Sequence, residues 1–157
     1  MKRIILFFSA WIILFSAVAE TKITVYVSGQ IEEENIKKVF ASKIVTAITK
    51  VPDYTAVELN ENFIGSIRDE HSRQTGGEVS PDDIIEINKK YGSNYIAAIE
   101  LTVLFDEYFV TSHLIEAETT KIIQAYDTSG PINNMAQLTT LANNVADGLI
   151  IAPLREA

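Results

Sequence analysis

Polar and apolar residues alternate over residues 22–28 (KITVYVS), and most of them are β-branched. That pattern predicts a β-strand. From residue 32 to 50 the period changes. Ile36, Val39, Phe40, Ile44, Ala47 and Ile48 recur at three- and four-residue spacing and form one apolar helix face. Glu32, Glu33 and Glu34 sit at its start and Lys50 at its end, as the helix dipole favours. Pro52 stops this helix, because it has no backbone donor and pushes Val51 out of the helical region. A short strand follows at residues 54–59. Asn60 then caps a helix expected over residues 60–74, with Phe63, Ile64, Ile67 and His71 facing inward.

The stretch from Gly76 to Leu104 organises the chain. Ser80 suits an N-cap, Pro81 the first helical position, and Asp82 and Asp83 the positive helix end. Ile84, Ile87 and Tyr91 keep helical spacing, and Gly92 stands where a left-handed C-cap belongs. Residues 95–104 are then almost wholly apolar, interrupted by Glu100 and Thr102, which is the mark of a central strand. Phe105-Asp106-Glu107 turns the chain into a strand at residues 108–116. Glu118-Thr119-Thr120 turns it again into a last strand at 121–126, which Ser129-Gly130-Pro131 should break. A final helix, 134–150, places Leu138, Leu141, Ala142, Val145 and Leu149 on one face.

The predicted order is β-α-β-α-α-β-β-β-α. A β-α-β start implies parallel neighbours, and short turns between the last three strands imply antiparallel ones. The expected fold is an α/β domain: a mixed five-stranded sheet with helices packed on it.

The first residues fall outside that pattern. Lys2 and Arg3 precede an apolar run from Ile4 to Phe15, and Ala17-Val18-Ala19 offers a small-x-small cleavage site. This is the layout of a secretory signal peptide. The run is shorter than the roughly 20 residues a membrane-spanning helix needs. Residues 1–19 are therefore expected to be removed, leaving a single domain, 20–157, in the periplasm or secreted.

Loss of the leader takes two positive charges and no acid, so the net charge of −8 becomes −10. Such a chain is repelled by phosphate backbones, which disfavours nucleic-acid partners. There is no cysteine. That removes disulfides, thiol catalysis, thiolate metal sites and a lipid-modified cysteine anchor.

The run Gln74-x-Gly76-Gly77-x-Val79-Ser80, followed by Ile87-x-Lys89-x-Tyr91-Gly92-Ser93-x-Tyr95, resembles a pattern in several bacterial envelope domains. These are the periplasmic domain of the curli-export channel subunit, LpoB-like activators of penicillin-binding proteins, and the TolB amino-terminal domain. Residues 114–122 (LIEAETTKI) are similar to their hairpin, usually leucine-isoleucine-acid-x-x-threonine-glycine-lysine. Thr120 stands in place of the hairpin glycine, so this turn should differ in type or carry strain. The resemblance implies binding and assembly, with envelope proteins as partners and no catalytic residue, metal or cofactor. It leaves self-association open, and the missing cysteine means that lipid tethering does not carry over.

The candidate chemistry is sparse. His71 lacks a ligand-type residue four positions away, since residues 67 and 75 are Ile67 and Thr75. Alternation sends Ser112 and His113 to opposite sheet faces, so they cannot act as nucleophile and base, and Asp106 lies roughly 20 Å along the strand. Glu100 has no evident acid–base partner, and Glu116 and Glu118 flank a hairpin. Gly76-Gly77 is too short for a phosphate loop and reads as a helix terminator.

One surface stands out. If Ile99, Leu101, Val103, Val110 and Leu114 face the core, the other face carries Glu100, Thr102, Phe109, Thr111, His113 and Ile115. Either a helix covers that face or it binds a partner. The expected function is non-catalytic binding or assembly of envelope components. The rival is a periplasmic hydrolase or small-ligand, sugar-binding protein whose site is built from distant residues.

Overall fold

The structure, a computed structural model, describes residues 20–29, 31, 34–59 and 81–156. The expected leader, the helix expected over 60–74 with His71, the expected Gly76-Gly77 terminator and the expected Ser80 cap lie outside the described residues. The elements are β1 (Thr21–Ser28), α1 (Glu34–Ile48), β2 (Tyr54–Glu58), α2 (Pro81–Tyr91), β3 (Tyr95–Leu104), β4 (Glu107–Glu116), β5 (Ile122–Gly130) and α3 (Met135–Val145). A π-helical turn, Ala146–Ile151, carries α3 into a short α4, Ala152–Glu156.

The five strands form one mixed sheet in the order β2-β1-β3-β4-β5. β1 pairs in parallel with both β2 and β3. β3–β4 and β4–β5 are antiparallel. The parallel centre is the most buried part: Ile23 through Val27 of β1 are all buried, as expected for a strand covered on both faces. β5, an edge strand, alternates exposed and half-buried residues along most of its length.

α1 and α3 pack on one face of the sheet. Phe40, Ile44 and Ile48 of α1 meet Val25, Ala97, Ile99, Leu101 and Leu114 of the strands and Leu141, Val145 and Leu149 beyond β5. α2 covers part of the opposite face, where Ile84 and Ile87 pack with Tyr26, Ile96 and Ile115. The two apolar clusters lie on opposite sides of β3, because neighbouring residues of a strand point to opposite faces. Thr24, on the same sheet face as Tyr26 and Ile96, is buried, and its hydroxyl and that of the buried Ser93 hydrogen-bond to each other, which satisfies both.

The organising stop is as the pattern predicts. Gly92 has φ +60°, and its N–H donates to Asn88 O at 2.7 Å, closing α2 before β3 begins. The β3–β4 turn is tighter than expected. Phe105 and Asp106 alone form it, both in the left-handed region (φ +53° and +62°), and Glu107 already pairs with Leu104. This is a two-residue hairpin of the type usually made with Asn-Gly. Thr120 takes φ +58° where the resembling hairpins have glycine, so a β-branched residue holds a strained backbone position.

Three expectations need correction. β5 does not end at Tyr126; it pairs with β4 as far as Gly130 opposite Tyr108, and Pro131, which has no donor, stops it. The final helix does not end at residue 150. Asn134 caps it, accepting from the Gln137 N–H at 3.0 Å, but Ala152 N–H bonds back to Asp147 O, five residues earlier. Widening the helix in this way relieves the clash that Pro153 would make with a carbonyl in the turn before it. Val103 shares the core face by register, opposite Tyr108, but it lies near the hairpin tip and is exposed.

Candidate functional site

The face read from the sequence is built by register. Glu100 lies opposite Thr111, Thr102 opposite Phe109, Ala98 opposite His113, and Ile96 opposite Ile115. Cross-strand partners share a face, so Glu100, Thr102, Phe109, Thr111, His113 and Ile115 are all on the side away from α1 and α3.

α2 divides this face. Ile115, only 5% exposed, packs beneath Ile84 and Ile87 and is part of the second core. The other five lie further along the strands. Glu100, Phe109 and Thr111 are exposed, and Thr102 and His113 are half-buried. The register puts the six on one sheet face; alternation in the sequence could not say where the covering helix would end.

The pairing adds residues that the sequence did not single out. Ser28 lies beside Glu100, and Asp127 lies beside Thr111. Ser28, Glu100, Thr111 and Asp127 thus form a row across four strands. Neighbouring strands are about 4.8 Å apart, which puts Glu100 and Asp127 on the order of 10 Å from each other, on either side of Thr111. Ser129 extends the polar surface next to Phe109. The row is open to solvent and acidic, with one aromatic ring beside it.

Ser112 is fully buried on the opposite face, where its hydroxyl donates to Tyr126 O. It therefore turns away from His113, as alternation requires. Among the described residues, no three His, Asp or Glu side chains come together as a metal-binding group. No described helix is long and apolar enough to cross a membrane.

Fold and face together define a class: a small α/β domain with a mixed sheet, helices on both sides, and an open polar-aromatic patch at one end of the second face. Several solved structures share this architecture. The C-terminal domain of LpoB from Salmonella enterica superposes with a TM-score of 0.52 at 12% identity, over 74% of this chain and 87% of that one. PelC from Paraburkholderia phytofirmans, solved as a dodecamer, gives 0.53 at 11% identity over 88% and 89%. The lipoprotein GNA1162 from Neisseria meningitidis gives 0.51 at 13% identity over 81% and 94%. At these identities the likeness is one of fold, and the fold is LpoB-like. It does not carry the narrower resemblance to the curli-channel or TolB domains. No known family model matches the sequence, and no curated protein matches it detectably.

Proposed function

We propose that this is a non-catalytic protein of the bacterial envelope, exported after cleavage near Ala19, which binds other envelope proteins through the open end of its second sheet face. The observation that carries this reading is the exposed row Glu100–Thr111–Asp127 with Phe109 and His113 beside it. A flat acidic patch with one aromatic anchor suits a protein surface with basic groups better than a small molecule, which needs a concave site. The LpoB-like fold supports the reading, since a lipoprotein and a dodecamer-forming protein share it. With no cysteine to carry a lipid, the chain would reach its partners without a lipid anchor of that kind.

Photo-crosslinking in the native envelope tests this. A crosslinker at Thr111 should capture a discrete protein partner. One at Ser42, exposed on α1 and on the other side of the sheet, should not. Reversing charge with Glu100→Lys and Asp127→Lys should abolish capture from Thr111. Equal capture from both positions, or capture that survives charge reversal, would remove this face from the function.

A further inference from the structure

The two hairpins at opposite ends of β4 have complementary anomalies. At one end, Phe105 is 98% exposed at the tip of the β3–β4 turn. It holds a left-handed backbone conformation, which costs an aromatic residue more than glycine, and it gains no burial within its own chain. Val103, Leu104 and Phe109 around it are also exposed, and Asp106 and Glu107 give the tip two negative charges. β1 pairs with β3 only as far as Glu100, so the hairpin projects beyond β1.

At the other end, the β4–β5 register slips between Leu114 and Ile115, which pair with Gln124 and Ile122. Ile123 is the extra, bulged residue. Bulges re-aim side chains, and here two adjacent isoleucines are 59% and 45% exposed at the start of an edge strand. Lys121 precedes them. It is the only Lys or Arg between Tyr91 and Leu154, a stretch with seven acids. Lys22, Lys89 and Lys90 lie at the same end of the domain, around the Tyr91–Asn94 link to the start of β1.

The tip is thus apolar and acidic, and the bulge is apolar with Lys121 beside it, at the end of the domain that carries Glu116 and Glu118 together with Lys22, Lys89 and Lys90. They lie at opposite ends of β4, about 30 Å apart at about 3.4 Å per residue, so one copy cannot join its own two patches. We infer that this chain associates head to tail with a second copy of itself: the Phe105 tip of one molecule seats against Ile122 and Ile123 of the next, with Asp106 and Glu107 facing Lys121. The contact is heterologous, so it propagates into a ring or an open row and does not close as a pair. A lipid surface is a poorer match, because the tip acids would meet headgroup phosphates. One phenylalanine buries about 150–250 Å². A standard stable interface buries roughly 800 Å² per partner. The contact is therefore reversible and depends on concentration. This deepens the reading of the protein as an assembly component, and its test uses the purified protein alone, so it can fail without touching the crosslinking result at Thr111.

The absence of native cysteine makes disulfide trapping clean. Phe105→Cys protein mixed with Ile123→Cys protein should give a heterodisulfide several-fold above Phe105→Cys mixed with Ser42→Cys. Lys121→Glu in the Ile123→Cys partner should reduce that yield. Asp106→Lys in the Phe105→Cys partner should then restore it. All these positions are exposed, and circular dichroism checks that the variants fold. A heterodisulfide no more abundant than the Ser42 control, or a yield indifferent to both charge changes, overturns the proposal. So does flotation of the wild-type protein with phosphatidylethanolamine–phosphatidylglycerol vesicles that Phe105→Ser abolishes, which would assign the tip to lipid.

Discussion

Replacing Gly29 with alanine should be among the most damaging single changes the sheet can suffer. Gly29 follows β1 with φ +128°, a region almost closed to residues with a Cβ. A Cβ placed there would lie 1.9 Å from Leu101 O, 2.8 Å from Leu101 C and 2.9 Å from Leu101 N. These are backbone atoms of a central strand, and neither side has a flexible end that can step aside. Holding a residue in such a conformation costs about 1–3 kcal/mol, and forced overpacking adds about 1–3 kcal/mol. A loss of about 3 kcal/mol or more follows, a large share of the roughly 5–15 kcal/mol that holds a domain together. Gly92 supplies the control. It also has positive φ (+60°), but its added Cβ would meet nothing within 4 Å. Gly92→Ala should therefore cost only the conformational part, about 1–2 kcal/mol, and Gly92→Val somewhat more. Urea unfolding followed by far-ultraviolet circular dichroism separates the cases. Fluorescence serves poorly, because the only tryptophan, Trp11, lies in the segment proposed to be removed on export. With a urea slope of about 1–3 kcal/mol per molar, Gly29→Ala should lower the midpoint by more than about 1 M. If Gly29→Ala and Gly92→Ala unfold together, the close approach of Gly29 to Leu101 is wrong, and with it the packing of the β1 end against β3.

Other outcomes follow from the same geometry. Thr120→Gly should stabilise by up to about 1 kcal/mol, less the entropy glycine adds to the unfolded chain, and thermal melting would show it as a higher midpoint. Asn134→Ala should cost about 1 kcal/mol by removing the cap on Gln137 N–H, measured by urea unfolding, with Asn134→Ser retaining most of it. Gly148→Ala puts a Cβ 2.4 Å from the Tyr126 ring, so the ring must swing away; near-ultraviolet circular dichroism should lose tyrosine signal, and an unchanged spectrum would deny the contact. Mass spectrometry of the exported protein should give a chain beginning at Glu20, and an intact Met1 would overturn the expected cleavage.

The parts of this fold that could be read from the sequence are those where local signals and tertiary packing agree. β1, α1 and α2 each had a clear period, β3 a nearly unbroken apolar run, and Pro52 and Gly92 marked where two of them stop. The reading failed where packing overrode local preference. Asp127-Thr128-Ser129-Gly130 has the composition of a turn, yet it forms the end of β5, because β4 extends to Glu107 and offers it a ladder. The π-helical turn left no periodic trace, and Pro153, read alone, gave no hint that the helix would pass through it. The candidate face was half legible for the same reason. Period-two alternation fixes which residues share a face, but cover comes from elements distant in sequence, so Ile115 and His113 looked equivalent although α2 buries only the first.

Phe105 is the sharper case. An aromatic residue between two apolar strands is ordinarily expected inside. Only the two-residue turn, with its pair of positive φ values, puts the ring outside. Its cost to folding and its lack of reward in folding come from the same geometry. The stability of the isolated chain does not account for a phenylalanine there; the head-to-tail contact inferred above would supply the missing burial. The nearest chemistry of the right kind is on the chain itself, where a bulge turns Ile123 outward beside Lys121 at the far end of β4.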